Sequence, residues 1–409
     1  MKKTQEQETL RQREIAELVK SALFALLRHE TRGEEIAEPV KGSLGDVEVV
    51  KELYKLSKAH DLAHLIADAL FKNKLLDKQS PAGQAFSRVL QTAVFRYEQI
   101  RYELESACSA LSEAKIPHLP LKGSVIRALY PQAWMRTSCD IDMYVDEARL
   151  DEATDVLVQK LGYRNEGKGS HDMQLFAPSG VHLELHYDLI EDEEYPKFAK
   201  PLLGLWENAS PVCEGGFTYR ATNEDFYFYH IAHTAKHLRN GGCGVRAFID
   251  LWYLEKALPY DKEKVAALLE ESGLTKFAEV ARKLARVWFD GEEHDELSKE
   301  TEAFILQGGI YGVFENTLAV QVSKGRVAYL FSRFFPPYRE MVRKYPSLKK
   351  CPVLYPFYIV RRWFNLLLVK GRAKNSVKEF NLAMEKAKEK RSTRLLKNLE
   401  LHVEDLKKE

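Results

Sequence analysis

The sequence predicts an α+β fold: a small mixed sheet with helical regions on its N- and C-terminal sides. Two observations predict it. Runs that alternate apolar and polar residues, CDIDMYV and VHLELHYDL, lie in the middle of the chain, whereas apolar residues at three- and four-residue steps dominate before about residue 115 and beyond about residue 222. Alternation sends successive side chains to opposite faces of a strand, while the longer step keeps apolar side chains on one side of a helix. At 409 residues the chain exceeds a typical single domain. It is expected to divide into an N-terminal helical region (1–115), a sheet-bearing core (116–215), a second helical unit (216–330) and a C-terminal helical region with a charged tail (331–409).

In chain order, ALFALL, DLAHLIADALFKNKLL and AFSRVLQTAVFRYEQIRYELESACSALSEA read as helices. The last ends at Lys115-Ile116-Pro117, because proline lacks a backbone donor and restricts the residue before it, and the first core strand is expected there. Gly123-Ser124 then makes a small turn ahead of a helix, where glycine allows close backbone approach and the helix N-terminus is expected to offer free N–H groups. In CDIDMYV, Cys139, Ile141, Met143 and Val145 are expected to face a core while Asp140 and Asp142 share the other face. ARLDEATDVLVQKLGY reads as a helix closed by Gly162, and HDMQLFAPSGVHLELHYDL as a hairpin turning through Pro178-Ser179-Gly180. In its second arm Val181, Leu183, Leu185 and Tyr187 take one face, and His182, Glu184, His186 and Asp188 the other.

If the two acidic strands are neighbours, Glu184 joins Asp140 and Asp142. Three converging carboxylates repel one another, and a hard divalent cation with oxygen ligands, magnesium above all, relieves the repulsion. Two such ions about 3.5 to 4 Å apart stabilise the attacking and leaving oxygens when a hydroxyl displaces pyrophosphate from a nucleotide. The H-x-E-x-H pattern at His182, Glu184 and His186 offers zinc as a competitor, but its spacing is not that of a helical zinc motif and the nearby aspartates favour the harder ion. His186 is then expected to orient a ligand or contact phosphate.

The pattern of a Gly-Ser turn, Asp140-Ile141-Asp142 in a strand and Glu184 in a later strand resembles the DNA polymerase beta-like nucleotidyltransferase superfamily. Leu121-Lys122-Gly123, Tyr130-Pro131, Arg136, Ser138 and Glu184-Leu185-His186, followed by HIAHTAKHLRNGGCGVRAFIDLWYL, are similar to a bacterial nucleotidyltransferase family of LKG, R-x-S-x-D-I-D and E-L-H type, over roughly residues 85 to 370. The chain departs from the superfamily in two places: Lys122 stands in a hydrophobic slot, and the gap from Ser124 to Asp140 is long.

The resemblance implies a nucleotidyltransferase core that moves NMP from an NTP, expected to be ATP, onto a hydroxyl with loss of pyrophosphate. Asp140, Asp142 and Glu184 would hold two Mg2+ ions, and Glu184 would take the hydroxyl proton, its basicity raised by the neighbouring negative charge. Lys122, Gly123, Ser124, Arg136, Ser138 and His186 would bind nucleotide from the core side. His230, His233 and His237 share one side of a helix by spacing. The resemblance places His233, Lys236, His237, Arg246 and Asp250 on the nucleotide cleft, with Lys236 or Arg246 meeting triphosphate charge. A nucleotide-binding regulatory module without turnover, and a kinase using the same metal cluster, are the alternatives.

A formal net charge of +1 gives no global attraction to nucleic acid or anionic membrane, so the expected acceptor is a small molecule or a protein side chain bearing a hydroxyl. Five scattered cysteines without C-x-x-C spacing indicate neither a disulfide framework nor structural zinc. The charged N-terminus lacks an apolar signal core, and a cytoplasmic location is expected. CPVLYPFYIVRRWFNLLLVKG is the most apolar stretch, but Arg361 and Arg362 interrupt it. A buried helix is expected there rather than a membrane span, with peripheral membrane contact as the alternative. The tail after Lys370, rich in both charge signs, reads as a solvated helix. The sequence sets no oligomeric state.

Overall fold

Five strands from the middle of the chain form one mixed sheet in the order β1-β2-β5-β4-β3: β1 (Leu119–Pro120), β2 (Asp140–Tyr144), β3 (Arg164–Lys168), β4 (Asp172–Phe176) and β5 (His182–His186). The computed structural model describes residues 2–191, 195–309, 347–368 and 391–401, with 335, 336, 338, 341, 342 and 345. Only the β2–β5 pairing is parallel; β1–β2, β5–β4 and β4–β3 are antiparallel. The expected hairpin is β4–β5, and just past the end of the β2–β5 pairing Val145 donates its amide to the His186 carbonyl.

Helices cover the N-terminal region: α1 (Lys2–Arg32), α2 (Glu38–Ser43), α3 (Val47–Ala59), α4 (Ala63–Lys72) and α5 (Pro81–Glu113). Helix α5 starts where the Ser80 hydroxyl accepts from the Gly83 amide and Pro81 fills the first turn, a position where its missing N–H costs nothing. After β1 comes the single turn α6 (Gly123–Ile126), and between β2 and β3 runs α7 (Leu150–Leu161). Gly162 ends α7 at φ 72, a conformation open to glycine at little cost.

Alternation along the strands divides the sheet into two faces. On one, Ile141, Met143, Val145, Leu175, Leu183 and Leu185 pack with Ile100, Ala107 and Leu111 of α5 and Leu150, Ala153 and Leu157 of α7. Cys139 does not join them: it precedes the strand and is exposed, so the apolar face begins one residue pair later than the alternation predicts. The other face carries Asp140, Asp142, His182, Glu184 and His186.

After the small helices α8 (Pro196–Ala199) and α9 (Leu205–Asn208) the chain becomes helical again through α10 (Asn223–Arg239), α11 (Arg246–Ala257), α12 (Lys262–Ser272), α13 (Thr275–Asp290) and α14 (Glu296–Leu306). Thr222 caps α10 by accepting from the Asp225 amide at 3.1 Å, with Glu224 and Asp225 complementing the helix dipole in the first turn. One apolar core joins α1 to α5 with α10 to α14, so the two helical regions pack on each other.

Two expectations for the C-terminal part change. The helix Tyr355–Leu368 is only partly buried in its described side chains: Ile359 packs with Met341 and Leu348 in a small cluster of its own, whereas Phe357 is 60% exposed and Val360 44%. The end of the charged tail is not simply solvated, because Leu395, Leu396, Leu399 and Leu401, in and just after the helix Arg391–Asn398, are buried in the main core. Residues 369–390, where the rest of the tail was read as a solvated helix, lie outside the described residues. Among the described residues no helix is long and apolar enough to cross a membrane.

Candidate active site

Parallel pairing of β2 with β5 sets Asp140 opposite His182 and Asp142 opposite Glu184. Side chains two apart on a strand share a face, so the register itself gathers both aspartates with Glu184, His182 and His186. Ligand atoms of Asp140, His182 and Glu184 all lie within 4.8 Å of one another, and so do those of Asp142, Glu184 and His186. His186 Nε2 is 2.9 Å from Asp142 Oδ1 and 3.4 Å from Glu184 Oε2.

The same Asp142 oxygen accepts a hydrogen bond from Lys122 Nζ at 2.6 Å. Lys122 precedes the Gly123-Ser124 turn and takes φ 44, ψ −119, a backbone conformation strained for a residue with a Cβ. Burial alone would push the Asp142 carboxyl up, but Lys122 and His186 overcome it and hold the group well below the usual carboxylate range. Asp140 moves the other way: burial, then the charges of Asp142 and Glu184, raise it. Glu184 is lowered, first by its hydrogen bond from His186. The increase in basicity expected at Glu184 therefore falls on Asp140.

The turn beside the cluster is built differently from a helix terminus with free amides. The Ser124 and Val125 amides are used within it, on the Leu121 and Lys122 carbonyls, whereas the buried Ser124 hydroxyl has no hydrogen-bond partner. Beneath the turn, Arg127 donates from Nε to the Gly123 carbonyl at 2.7 Å and from Nη2 to Ser138 Oγ at 3.0 Å. A Cβ on Gly123 would lie 3.2 Å from Arg136 Nη1, which explains the absence of a side chain there.

Arg136 itself is engaged elsewhere. Its Nε donates to both oxygens of Asp250 at 2.9 Å, and Tyr130 adds its hydroxyl to the same carboxylate at 2.7 Å. Arg136 and Asp250 thus tie the core to α11 instead of lining an open cleft. Arg246, on α11, likewise pairs with Asp61 and donates to the Thr137 carbonyl.

Helix α10 lies within the field of Lys122, which acts on Tyr229, His233 and His237. Lys236 Nζ meets Glu191 Oε2 at 2.5 Å, and Glu191 Oε1 is 3.2 Å from His171 Nδ1, whose ring stacks on His186 at 5.4 Å between centroids. The Nε2 atoms of His233 and His237 are 3.2 Å apart. Burial, followed by the positive field of Lys122, drives the His233 pKa well below its ordinary value and that of His237 down to about 4, so both rings are neutral at pH 7. His230 parts from them and turns its Nε2 to the Ala247 carbonyl at 2.9 Å.

Three buried polar atoms in this region have no protein partner, Ser124 Oγ, His182 Nε2 and His186 Nδ1, while the Tyr229 hydroxyl faces Lys122. Buried polar groups are ordinarily paired, so such a concentration beside a carboxylate cluster is what a site awaiting a polar ligand requires. Three carboxylates with adjacent imidazoles are also a suitable donor set for a divalent cation. A family model described as "Uncharacterised nucleotidyltransferase" matches residues 48–290, more than half of the chain. The chain belongs to this nucleotidyltransferase family. No curated protein and no solved structure matches it.

The matched span of this nucleotidyltransferase family member covers the acidic strands, the Gly-Ser turn and helices α10 and α11. Neither motif nor periodicity pointed to Arg127, Tyr229, His171, Glu191 or Asp61. Arg127 lies three residues beyond Ser124, one helical turn away, and that spacing is the one local signal that would have drawn it in. The others reach the region through tertiary contacts between segments far apart in the chain.

Proposed function

We propose that the chain is a Mg2+-dependent nucleotidyltransferase that moves NMP from an NTP, with ATP the expected donor, onto the hydroxyl of a small-molecule or protein acceptor and releases pyrophosphate. The observation that carries this reading is the β2–β5 register, which gathers Asp140, Asp142 and Glu184 beside the Gly123-Ser124 turn. Asp140, Asp142 and Glu184 hold the divalent ion in this reading. When bound, the ion supplies positive charge that offsets the negative charge developing on the leaving pyrophosphate.

The chain's own residues do the positioning. Gly123 allows the triphosphate to approach the backbone, and Ser124 Oγ, buried and unpartnered, donates to it. Lys122, Ser138 and His186 border the same space from the core side, while Lys236, His233 and His237 border it from α10. Arg136 and Arg246 contribute by fixing the turn and α11 through Asp250 and Asp61, so both act on the nucleotide indirectly. Glu184, kept ionised by the hydrogen bond from His186, takes the proton of the attacking hydroxyl at its carboxylate. Neutral His233 and His237 leave the cleft without two further fixed charges, which keeps a polyanion's binding dependent on Lys122 and Lys236.

Incubation of the protein with each α-labelled NTP, Mg2+ and a cell extract tests the reading. Label passed to an acceptor with pyrophosphate released supports it. Release of ADP identifies a kinase, and nucleotide-dependent thermal stabilisation without turnover in any extract identifies a binding module.

A further inference from the structure

The Lys122 ammonium lies where an ion-binding cluster would not be expected to tolerate it. Its Nζ is 2.6 Å from Asp142 Oδ1, and the two side chains are only 21% and 7% exposed. Its own backbone is strained, in a region that glycine enters freely and residues with a Cβ enter only at a cost. A lysine held at such a cost against a buried carboxylate is a fixed feature of the site, and its field also reaches the histidines on α10.

We propose that Lys122 supplies one of the positive centres of this site as a permanent ammonium, so that the carboxylate cluster takes a single divalent ion instead of two. The inference rests on the metal-dependent reading above and replaces the expectation of an ion pair. Charge balance favours it: Asp140, Asp142 and Glu184 carry three negative charges, Lys122 offsets one, and one divalent cation offsets the remainder. Geometry favours it as well. Asp142 Oδ1 already accepts from both Lys122 and His186, whereas Lys122 makes no hydrogen bond to Asp140, His182 or Glu184, a second ligand group that shares Glu184 with the first. The single ion therefore sits toward Asp140 and Glu184, with Asp142 available to it only through the carboxylate oxygen that Lys122 and His186 leave free.

Counting bound Mn2+ on the full-length, nucleotide-free protein by electron paramagnetic resonance tests this, because bound Mn2+ loses the sharp six-line signal of the free ion. Wild type is expected to bind about one ion per chain, and Lys122→Met about two, a doubling of occupancy. Lys122→Arg keeps the charge and stays near one. Lys122→Gly removes the ammonium while relieving the positive φ, so it keeps the test valid if Lys122→Met fails to fold; it too is expected to take about two. Two ions on the wild type, or one on both Lys122→Met and Lys122→Gly, overturns the proposal and leaves the metal-dependent reading intact. No Mn2+ on the wild type overturns that reading as well.

Discussion

Asp142 on β2 and Glu184 on β5 are direct register partners across the parallel pair, and Asp140 stands two residues earlier opposite His182. A slip of one residue would turn every one of these side chains onto the face packed against α5 and α7. The apolar residues Ile141, Met143, Leu183 and Leu185 prevent that slip, since each is fully buried on the opposite side. The core of the sheet therefore fixes the chemistry of its other face.

The Ser124 hydroxyl is buried without a partner, which predicts opposite effects on folding and binding. Ser124→Ala is expected to leave stability unchanged or raise it by up to about 1 kcal/mol, while weakening ATP binding by about 1 kcal/mol, or roughly fivefold. Thermal melts with and without ATP and Mg2+ read both effects. A loss of stability without ligand would mean that the hydroxyl serves the fold.

Asp250 accepts from Arg136 and Tyr130 in a buried setting. Removing the carboxylate leaves the guanidinium buried and unpaired, so Asp250→Ala is expected to cost about 3 to 5 kcal/mol in urea denaturation. Adding Arg136→Met should recover part of that loss, because it removes the stranded charge. Equal or larger loss in the double variant would contradict the assigned pairing.

Glu30, packed between α1 and α4, is pushed up to about 7 by burial and then by the neighbouring Asp68, against the pull of Lys72. The folded state therefore binds a proton more tightly than the unfolded chain, whose glutamate titrates near 4.5. The stabilising effect is full below about pH 4.5 and is lost as the pH rises to about 7. Glu30→Gln is expected to flatten the stability profile across that window, measured by denaturant melts at several pH values. An unchanged slope would show that Glu30 does not carry it.

Leu399 is fully buried in the main core although it follows a segment dense in charge. Leu399→Ala is expected to destabilise the protein by about 2 to 5 kcal/mol, the range for a buried leucine. Calorimetry decides it: a solvated tail would show no change.

Alternation of apolar and polar residues carried most of the site, because β2 and β5 each have one face in the core and one carrying function. It failed at β3, whose residues Arg164 to Lys168 are all exposed and polar, so that edge strand has no apolar face to read. It failed also at the tail, where Leu395, Leu396, Leu399 and Leu401 sit among lysines and the charge count concealed a short buried stripe. The Gly-Ser turn was legible as a turn, but the engagement of its amides and the strained lysine before it depend on tertiary contacts. Arg136 and Arg246 illustrate the same limit. A cation near a motif can serve a phosphate or a buried carboxylate, and only the positions of Asp250 and Asp61 distinguish the two.

The most direct measurement is Mg2+-dependent transfer from α-labelled ATP in a cell extract by wild type and Asp140→Ala, each checked for folding by its thermal melt. Metal-dependent transfer on the acidic cluster predicts labelled acceptor with wild type, background label with Asp140→Ala, and a melting temperature for the variant no lower than that of the metal-free wild type, since the substitution removes a carboxyl whose ionisation is opposed by burial and by Asp142 and Glu184. Undiminished labelling by a folded Asp140→Ala protein would contradict it.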